Sequence, residues 1–256
     1  MPPVLHPDFL IKPIAHRALH DLAKGRPENS RAAIRAAIKA GYGIEIDLQL
    51  SRDGQVMVFH DETLDRLTME TGPLNQRSAA ELSKIPLRGA NETIPTLTEV
   101  LKLVAGRAPL LIEIKDQQGE LGPTDGKLEA ATAAALANYT GPVALMSFNP
   151  NTVITMARLA PGIPRGITTS SFDPAEWQPI APATCDRLRA IPDYEHTQSC
   201  FISHETNDLE NPRVAALRQQ GATILCWTIT SPEAEAKARE VAQNITFENY
   251  LAPHPV

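Results

Sequence analysis

Ionisable side chains follow four short apolar segments of the chain, at the point where each segment ends. They are His16 with Arg17, Glu45 with Asp47, His60 with Asp61, and Glu113 with Lys115. Residues two positions apart on a β-strand point to the same face, so each Glu shares a face with its partner in the list. If the four segments end at one site, the carboxylates of Glu45, Asp47 and Glu113 converge there with the two imidazoles, the Arg and the Lys. Burying so many charges is unfavourable unless a metal ion or an anionic ligand compensates.

The carboxylates of Glu45, Asp47 and Glu113 are suited to a hard cation. Oxygen ligands are the ones that Mg²⁺ and Ca²⁺ prefer. The three cysteines of the chain are scattered and lack a Cys-x-x-Cys spacing, so we expect neither a zinc site nor a disulfide framework. The sequence therefore predicts one divalent cation, Mg²⁺ or Ca²⁺, as cofactor.

The other four side chains of the set are suited to a phosphate group. His16 and His60 could act as general acid and base, because imidazoles exchange protons near neutral pH. Arg17 offers a planar fork to phosphate oxygens, and Lys115 a point charge. A single histidine or carboxylate at a strand end is more often structural, so the prediction depends on the whole set.

The elements that must position these residues alternate along the chain. The predicted strands are Ile11–Ala15, Ile44–Leu50, Gln55–Phe59, Pro109–Lys115, Pro142–Phe148, Arg165–Thr169, Cys200–Ser203, Ala222–Ile229 and Asn244–Phe247. The predicted helices are Ser30–Ala40, Ser78–Lys84, Thr96–Ala105, Gly126–Asn138, Asn151–Leu159, Pro212–Gln220 and Pro232–Ala242. The stretch Asp173–Gln198 contains four prolines and is left unassigned.

About eight strands, most of them followed by a helix, predict an α/β fold with a parallel sheet. Most of the strands lack alternation of apolar and polar residues, as expected when both faces are buried. A doubly wound open sheet and a (β/α)8 TIM barrel both fit this pattern. The polar residues at the strand ends favour the barrel, whose functional rim lies there. No linker divides the chain, so residues 1–256 are predicted to form a single domain.

Composition excludes several classes of protein. The chain is 43% hydrophobic and 21% charged, as in an ordinary globular protein. Its net charge of −6 and the lack of a basic patch argue against a nucleic-acid partner. No segment predicts a signal peptide or a membrane span, so we expect a cytoplasmic protein without stable membrane insertion.

An ordered series of short motifs resembles the glycerophosphodiester phosphodiesterase family. It consists of His16-Arg17, Pro27-Glu28-Asn29-Ser30, Glu45-Ile46-Asp47, Asp53-Gly54, His60-Asp61-Glu62-Thr63-Leu64-Asp65-Arg66, Ile94-Pro95-Thr96-Leu97, Glu113-Ile114-Lys115 and Trp227-Thr228. Each motif alone is weakly specific, but the ordered set is highly specific. The resemblance is dense up to about residue 115 and sparse afterwards.

The resemblance implies a role for ten residues. They are the catalytic histidines His16 and His60, the metal ligands Glu45, Asp47 and Glu113, and the substrate-binding residues Arg17, Lys115, Glu28, Asn29 and Trp227. Asn29 could equally belong to a helix-entry turn, and Trp227 could be a core aromatic. The family also implies a small insertion on the catalytic rim, at about residues 60–97. Asp61 is interpreted as a structural partner of neighbouring backbone.

The activity implied by the resemblance is metal-dependent hydrolysis of a glycerophosphodiester to glycerol 3-phosphate and an alcohol such as choline. Two alternatives remain open. One is a related phosphodiesterase that acts on lysophospholipids or other phospholipid-derived phosphodiesters. The other is a catalytically silent barrel that only binds phosphodiesters; loss of a histidine or a metal ligand would favour it, and all are present.

The sequence departs from the family pattern at three places. Ala18 replaces the usual Gly after His-Arg, a mild change unless the position requires a positive φ. The loop Ala18–Arg26 is longer than usual and adds His20 and Asp21. The last strand lacks the usual family ending, and Glu248 is the candidate for the position of its Asp.

Overall fold

A computed structural model describes residues 3–254 of the chain. Its strands are β1 (Ile14–Ala15), β2 (Gly43–Leu50), β3 (Val56–Val58), β4 (Leu110–Ile114), β5 (Val143–Ser147), β6 (Arg165–Thr169), β7 (Phe201–Glu205), β8 (Thr223–Ile229) and β9 (Asn244–Phe247). All except β3 are parallel to their neighbours, and β1 pairs with both β2 and β9. The sheet is therefore a closed barrel of eight parallel strands, which confirms the (β/α)8 prediction over the open sheet.

Most of the helices connect strands on the outside of the barrel, whereas α1 precedes β1 and α3 belongs to the segment between β3 and α4. They are α1 (Asp8–Ile11), α2 (Arg31–Ala40), α3 (Ala79–Leu82), α4 (Leu97–Val104), α5 (Lys127–Leu136), α6 (Pro150–Leu159), α7 (Pro182–Arg189), α8 (Pro212–Gln219) and α9 (Pro232–Ala238). The helix α2 begins where the Ser30 hydroxyl accepts the Ala33 N–H and ends at Gly41, which has φ 79°. No helix of the described residues is long and apolar enough to cross a membrane.

The first predicted strand is wrong over most of its length. The segment Ile11–Ala15 contributes only Ile14 and Ala15 to the sheet, and Ile11 ends α1. The reason is that Phe9 of α1 is completely buried at the bottom of the barrel, and the Asn244 amide donates to the Phe9 and Lys12 carbonyls. Proline at position 13 also lacks the N–H that a longer strand would use.

Two other segments refine the predicted elements. Helix α9 ends at Ala238, four residues before the predicted end at Ala242. The unassigned stretch Asp173–Gln198 contains α7 and otherwise consists of turns.

The interior of the barrel changes from apolar to charged along its axis. Strand register places Leu111, Glu45, Asp47 and Glu113 on one face, because Glu45 pairs with Leu111 and Asp47 with Glu113. The lower interior contains Phe9, Leu111, Phe201 and other apolar side chains. Among the described residues of the interior, the charged side chains therefore collect at the carboxyl ends of the strands.

Residues between β3 and α4 form a separate layer on the rim. Their apolar side chains, including Phe59, Leu64, Leu82 and Ile94, pack in a buried cluster of their own. This segment coincides with the predicted insertion, and the single-domain organisation stays a prediction.

Candidate active site

The three predicted metal ligands lie together at the upper end of the barrel. Glu45 and Asp47 belong to β2 and Glu113 to β4, and less than a tenth of each residue is exposed. One oxygen atom from each carboxylate lies within 4.8 Å of the others. Three carboxylates this close repel one another unless positive charge lies between or beside them.

Lys115 and Asn29 stabilise the negative charge of two of these carboxylates, Asp47 and Glu113. The Lys115 ammonium lies 2.8 Å from Asp47 Oδ1 and 2.7 Å from Glu113 Oε1, and the Asn29 amide donates to Asp47 Oδ2 at 2.8 Å. Burial alone would raise the pKa of Asp47, but the charge of Lys115 and the other cations nearby hold this pKa far below its usual value. The same carboxylates raise the pKa of the buried Lys115, which remains charged.

The carboxylate of Glu45 has a hydrogen-bond donor for only one of its two oxygen atoms. Its Oε2 accepts the backbone N–H of Arg17 at 2.7 Å, whereas its buried Oε1 has no hydrogen-bond partner in the described structure. Burial, together with the charges of Asp47 and Glu113, raises the pKa of Glu45 well above its usual value. An unpartnered oxygen beside two further carboxylates is what a bound cation would satisfy, so the donor set fits a hard divalent cation.

His16 follows β1 and is held by the last strand of the barrel. Its Nδ1 lies 2.7 Å from Oε2 of Glu248, the residue after β9. Burial lowers the pKa of His16, and the hydrogen bond to Glu248 opposes this effect. The imidazole is therefore neutral at pH 7, with Nε2 left as the nitrogen that can exchange a proton.

His60 follows β3 and has a carboxylate partner of its own. Its Nδ1 lies 2.7 Å from Oδ1 of Asp61, and Asp61 is also bound by the Arg66 guanidinium at 2.6 and 2.7 Å. Arg66 in turn binds both carboxylate oxygens of Glu28, at 2.7 and 2.8 Å. Asp61 is thus a partner of the imidazole side chain, and it was predicted to be a partner of backbone.

Arg17 lies in a turn that needs unusual backbone angles. Arg17 and Ala18 have φ values of 50° and 64°, and Asn29 has 57°. In this conformation the Ala18 N–H donates to the Glu45 carbonyl, and the Asn29 N–H to that of Arg17. The turn brings the Arg17 guanidinium to Glu28 Oε1 at 2.9 Å and places Asn29 next to Asp47. Position 18 therefore does require a positive φ.

A small inner cavity lies between the two histidines. It has a volume of about 130 Å³, and its lining includes Arg17, Lys115, Phe148 and Trp227. The Trp227 indole N–H donates to the Ser203 carbonyl at 3.0 Å, and its ring meets Phe148 edge-on. Trp227 thus lines the pocket.

The inner cavity adjoins an outer cleft of about 620 Å³. The two spaces share four lining residues, namely His60, Glu113, Lys115 and Phe148. His16 lines only the inner cavity. The histidines therefore differ in position relative to the outer cleft.

This chain is similar in sequence and in fold to known phosphodiesterases. The model of the glycerophosphoryl diester phosphodiesterase family matches residues 16–245. The chain belongs to this family. It is therefore an enzyme of the phosphoric diester hydrolase class.

Individual relatives agree with the family assignment. A glycerophosphodiester phosphodiesterase of Bacillus subtilis (strain 168) is 26% identical, with 96% of this chain and 86% of the relative covered. One from Caldanaerobacter subterraneus subsp. tengcongensis is 33% identical, over 60% of this chain and 65% of the relative. Among solved structures, an Oleispira antarctica phosphodiesterase in complex with the product sn-glycerol-3-phosphate has a TM-score of 0.74 and 27% identity, covering 93% of this chain and 92% of that chain.

All ten residues singled out in the sequence line one of the two adjoining cavities or bind residues that do. Three of them line neither cavity. Asp47 binds Lys115, Glu28 binds Arg17 and Arg66, and Asn29 binds Asp47. Two features of the site were not predicted from the sequence, namely Phe148, which lines both spaces, and the contact of Glu248 with His16. Glu248 directly follows a predicted strand, which is the criterion that had identified the other ionisable residues.

Proposed function

We propose that this enzyme hydrolyses glycerophosphodiesters to glycerol 3-phosphate and an alcohol, with a divalent cation and two-histidine acid–base catalysis. The observation that carries the proposal is the inner cavity, which has an imidazole on either side and three clustered carboxylates beneath. The Oleispira antarctica relative was solved with sn-glycerol-3-phosphate as its product. The same product is consistent with a cavity of about 130 Å³ here.

Glu45, Asp47 and Glu113 are proposed to hold the cation, either Mg²⁺ or Ca²⁺. When bound, such an ion would acidify a coordinated hydroxyl and offset negative charge at the phosphate. Arg17 and Lys115 line the inner cavity and are proposed to contact phosphate oxygens. Glu28 and Asn29 would support this site, because Glu28 orients Arg17 and Asn29 orients Asp47.

His16 is proposed to act first as the base. Its lowered pKa leaves the imidazole neutral, and Glu248 fixes Nδ1 so that Nε2 accepts the proton. The hydroxyl next to the phosphorylated carbon of glycerol would lose this proton and attack phosphorus. Attack by a hydroxyl of the same molecule gains from proximity. The resulting cyclic phosphate is then opened by water.

His60 is proposed to act first as the acid. It lines both the inner cavity and the outer cleft, so it lies where a leaving alcohol would pass from one space to the other. Its proton would go to the leaving oxygen. In the second step, His60 would take a proton from water and His16 would return its proton to the glycerol hydroxyl.

The test is a hydrolysis assay on sn-glycero-3-phosphocholine, followed by phosphorus NMR. We expect glycerol 3-phosphate in the presence of Mg²⁺ or Ca²⁺, and no product after chelation of the metal. Glu45→Gln should weaken metal binding, because it removes a formal charge at similar size. Full activity of the metal-free protein would contradict the metal proposal, and no hydrolysis under any metal would favour a silent binding barrel.

Two further substrates separate the chemical alternatives. An analogue lacking the 2-hydroxyl should bind but hardly react if the cyclic route is used, whereas near-normal hydrolysis would indicate direct attack by water. Lysophosphatidylcholine tests the lipid alternative. A kcat/KM for it above that of sn-glycero-3-phosphocholine would assign the enzyme to lysophospholipids.

A further inference from the structure

The outer cleft has one apolar wall and one acidic wall. Leu121, Phe148, Trp177 and Ile180 form the apolar wall, on loops that follow β4, β5 and β6. Glu62 and Asp116, together with Asp61, supply the carboxylates. The proposed chemistry uses neither Glu62 nor Asp116.

Two of the four residues of the apolar wall are aromatic, and their rings pack against other rings. The Trp177 ring lies 4.9 Å from that of Phe148 and 4.7 Å from that of the buried Phe172, measured between centroids. Phe148 also meets Trp227 at 5.4 Å, so the aromatic wall continues into the inner cavity. Such faces attract cations, because the ring quadrupole is negative above and below its plane.

The acidic wall has carboxylates without a cationic partner among residues 3–254. Lys115 and Arg66 are the neighbouring cations, and their ion pairs go to other carboxylates around the site. Asp116 accepts hydrogen bonds from the Leu121 N–H and the Asn149 amide, both 2.9 Å, which are neutral donors. Glu62 is exposed and faces Gly119 across the cleft. The cleft is therefore negatively charged.

The leaving alcohol is the part of the substrate that reaches this space. The proposed chemistry places glycerol and phosphate in the inner cavity of about 130 Å³, next to the carboxylates. His60 lines both spaces, so the outer cleft adjoins the position of the proposed leaving oxygen. The side chains that line the cleft would therefore contact the alcohol moiety of the substrate.

We propose that the outer cleft binds the alcohol moiety and selects one that carries a quaternary ammonium group, as in choline. This inference rests on the proposed function. A quaternary ammonium has no N–H to donate, so it needs aromatic faces and nearby negative charge more than hydrogen-bond acceptors. Trp177 and Phe148 supply the faces, and Glu62 and Asp116 supply the charge.

The matched probe for this proposal is a pair of substrates that differ only in charge. One is sn-glycero-3-phosphocholine, and the other is its 3,3-dimethylbutyl analogue, in which carbon replaces nitrogen. The measured quantity is the ratio of their kcat/KM values in the metal-loaded enzyme. Because the two alcohols differ in intrinsic reactivity, the ratio is compared between the parent and its variants, so that this difference cancels.

Two variants should lower the ratio. Trp177→Leu keeps an apolar side chain but removes the ring, and we expect the preference for the choline diester to fall about tenfold. Glu62→Gln removes one charge at similar size, and we expect a fall of roughly threefold that diminishes with added salt. Glu176→Gln is the control, because Glu176 is exposed on the same loop as Trp177 but does not line the cleft.

The outcomes separate this inference from the proposed function. An unchanged ratio in both Trp177→Leu and Glu62→Gln would overturn the inference, even if both diesters are hydrolysed. Equal falls in kcat/KM for both substrates would show apolar contact alone, which also overturns it. If the parent cleaves neither diester, the proposed function fails and the inference falls with it.

Discussion

The surroundings of His16 and of His60 differ in where the partner carboxylate comes from. Each imidazole has its Nδ1 2.7 Å from a carboxylate oxygen. Glu248 lies 232 positions from His16 and reaches it only because β1 and β9 close the barrel. Asp61 is the next residue after His60, and Arg66 of the rim layer fixes it.

This difference separates a part of the site built by the barrel from a part built by the insertion. His16 depends on strand register, which is set by the whole core. His60 depends on the rim segment with its own apolar cluster. A change in the insertion should therefore affect the proposed acid without moving the proposed base.

The largest effect is expected from removal of either imidazole. A positioned acid or base contributes about 10²–10⁴-fold in rate, so His16→Ala and His60→Ala should each lower kcat by that order. The measurement is kcat on sn-glycero-3-phosphocholine, with folding checked by circular dichroism. His6→Ala is the control, because His6 lies in the segment before α1, outside both cavities. A loss below tenfold for either histidine would remove it from the proposed mechanism.

A smaller effect is expected on the pH dependence of kcat/KM, and it distinguishes Glu248, the partner of His16, from Asp61, the partner of His60. The hydrogen bond and charge of Glu248 raise the pKa of His16, against the lowering by burial. Glu248→Gln should therefore lower this pKa further. Because a base works in its neutral form, the fall of kcat/KM on the acid side should move to lower pH. The measurement is a pH profile of kcat/KM.

Asp61→Asn is the matched change in the His60 region. It should lower kcat but leave the acid limb of the profile where it is, because Asp61 does not contact His16. A shift of this limb in Asp61→Asn as large as in Glu248→Gln would contradict the separation of the two regions. Each limb of the pH profile reports the ionisation of the coupled site and not of one histidine. The measured quantity is therefore the difference in the position of the limb between the two variants.

The sequence predicted those features that depend on local spacing. Glu45 and Asp47 share a face because strand side chains alternate, and α2 begins and ends where Ser30 and Gly41 predicted. The Glu248–His16 contact depends on barrel closure, which residue spacing cannot specify. The short β1 depends on burial of Phe9, a tertiary effect that overrides the apolar pattern of Ile11–Ala15.

Backbone conformation gives a further contrast between the two regions. The turn after His16 contains Arg17 and Ala18 in the left-handed region, whereas positive φ values around the insertion occur at Gly54, Gly72 and Gly89. A left-handed conformation is unfavourable for residues with a Cβ atom. Backbone strain is therefore expected in the turn beside His16, the proposed base, and not at the glycines around the insertion.

The smallest effect is therefore expected from Ala18→Gly, because opposing terms nearly cancel. Removing the Cβ relieves about 1–2 kcal/mol of left-handed strain. Losing a buried methyl group costs about 0.8 kcal/mol, and the added freedom of Gly in the unfolded chain about 0.5–1 kcal/mol. The net change in the free energy of unfolding should stay within about 1 kcal/mol, measured by urea denaturation.

Ala37→Gly is the control, since Ala37 is equally buried but helical. This variant should lose about 2 kcal/mol of unfolding free energy. If Ala18→Gly is destabilised as much as Ala37→Gly, the turn beside His16 stores no strain, and this part of the contrast with the His60 region fails.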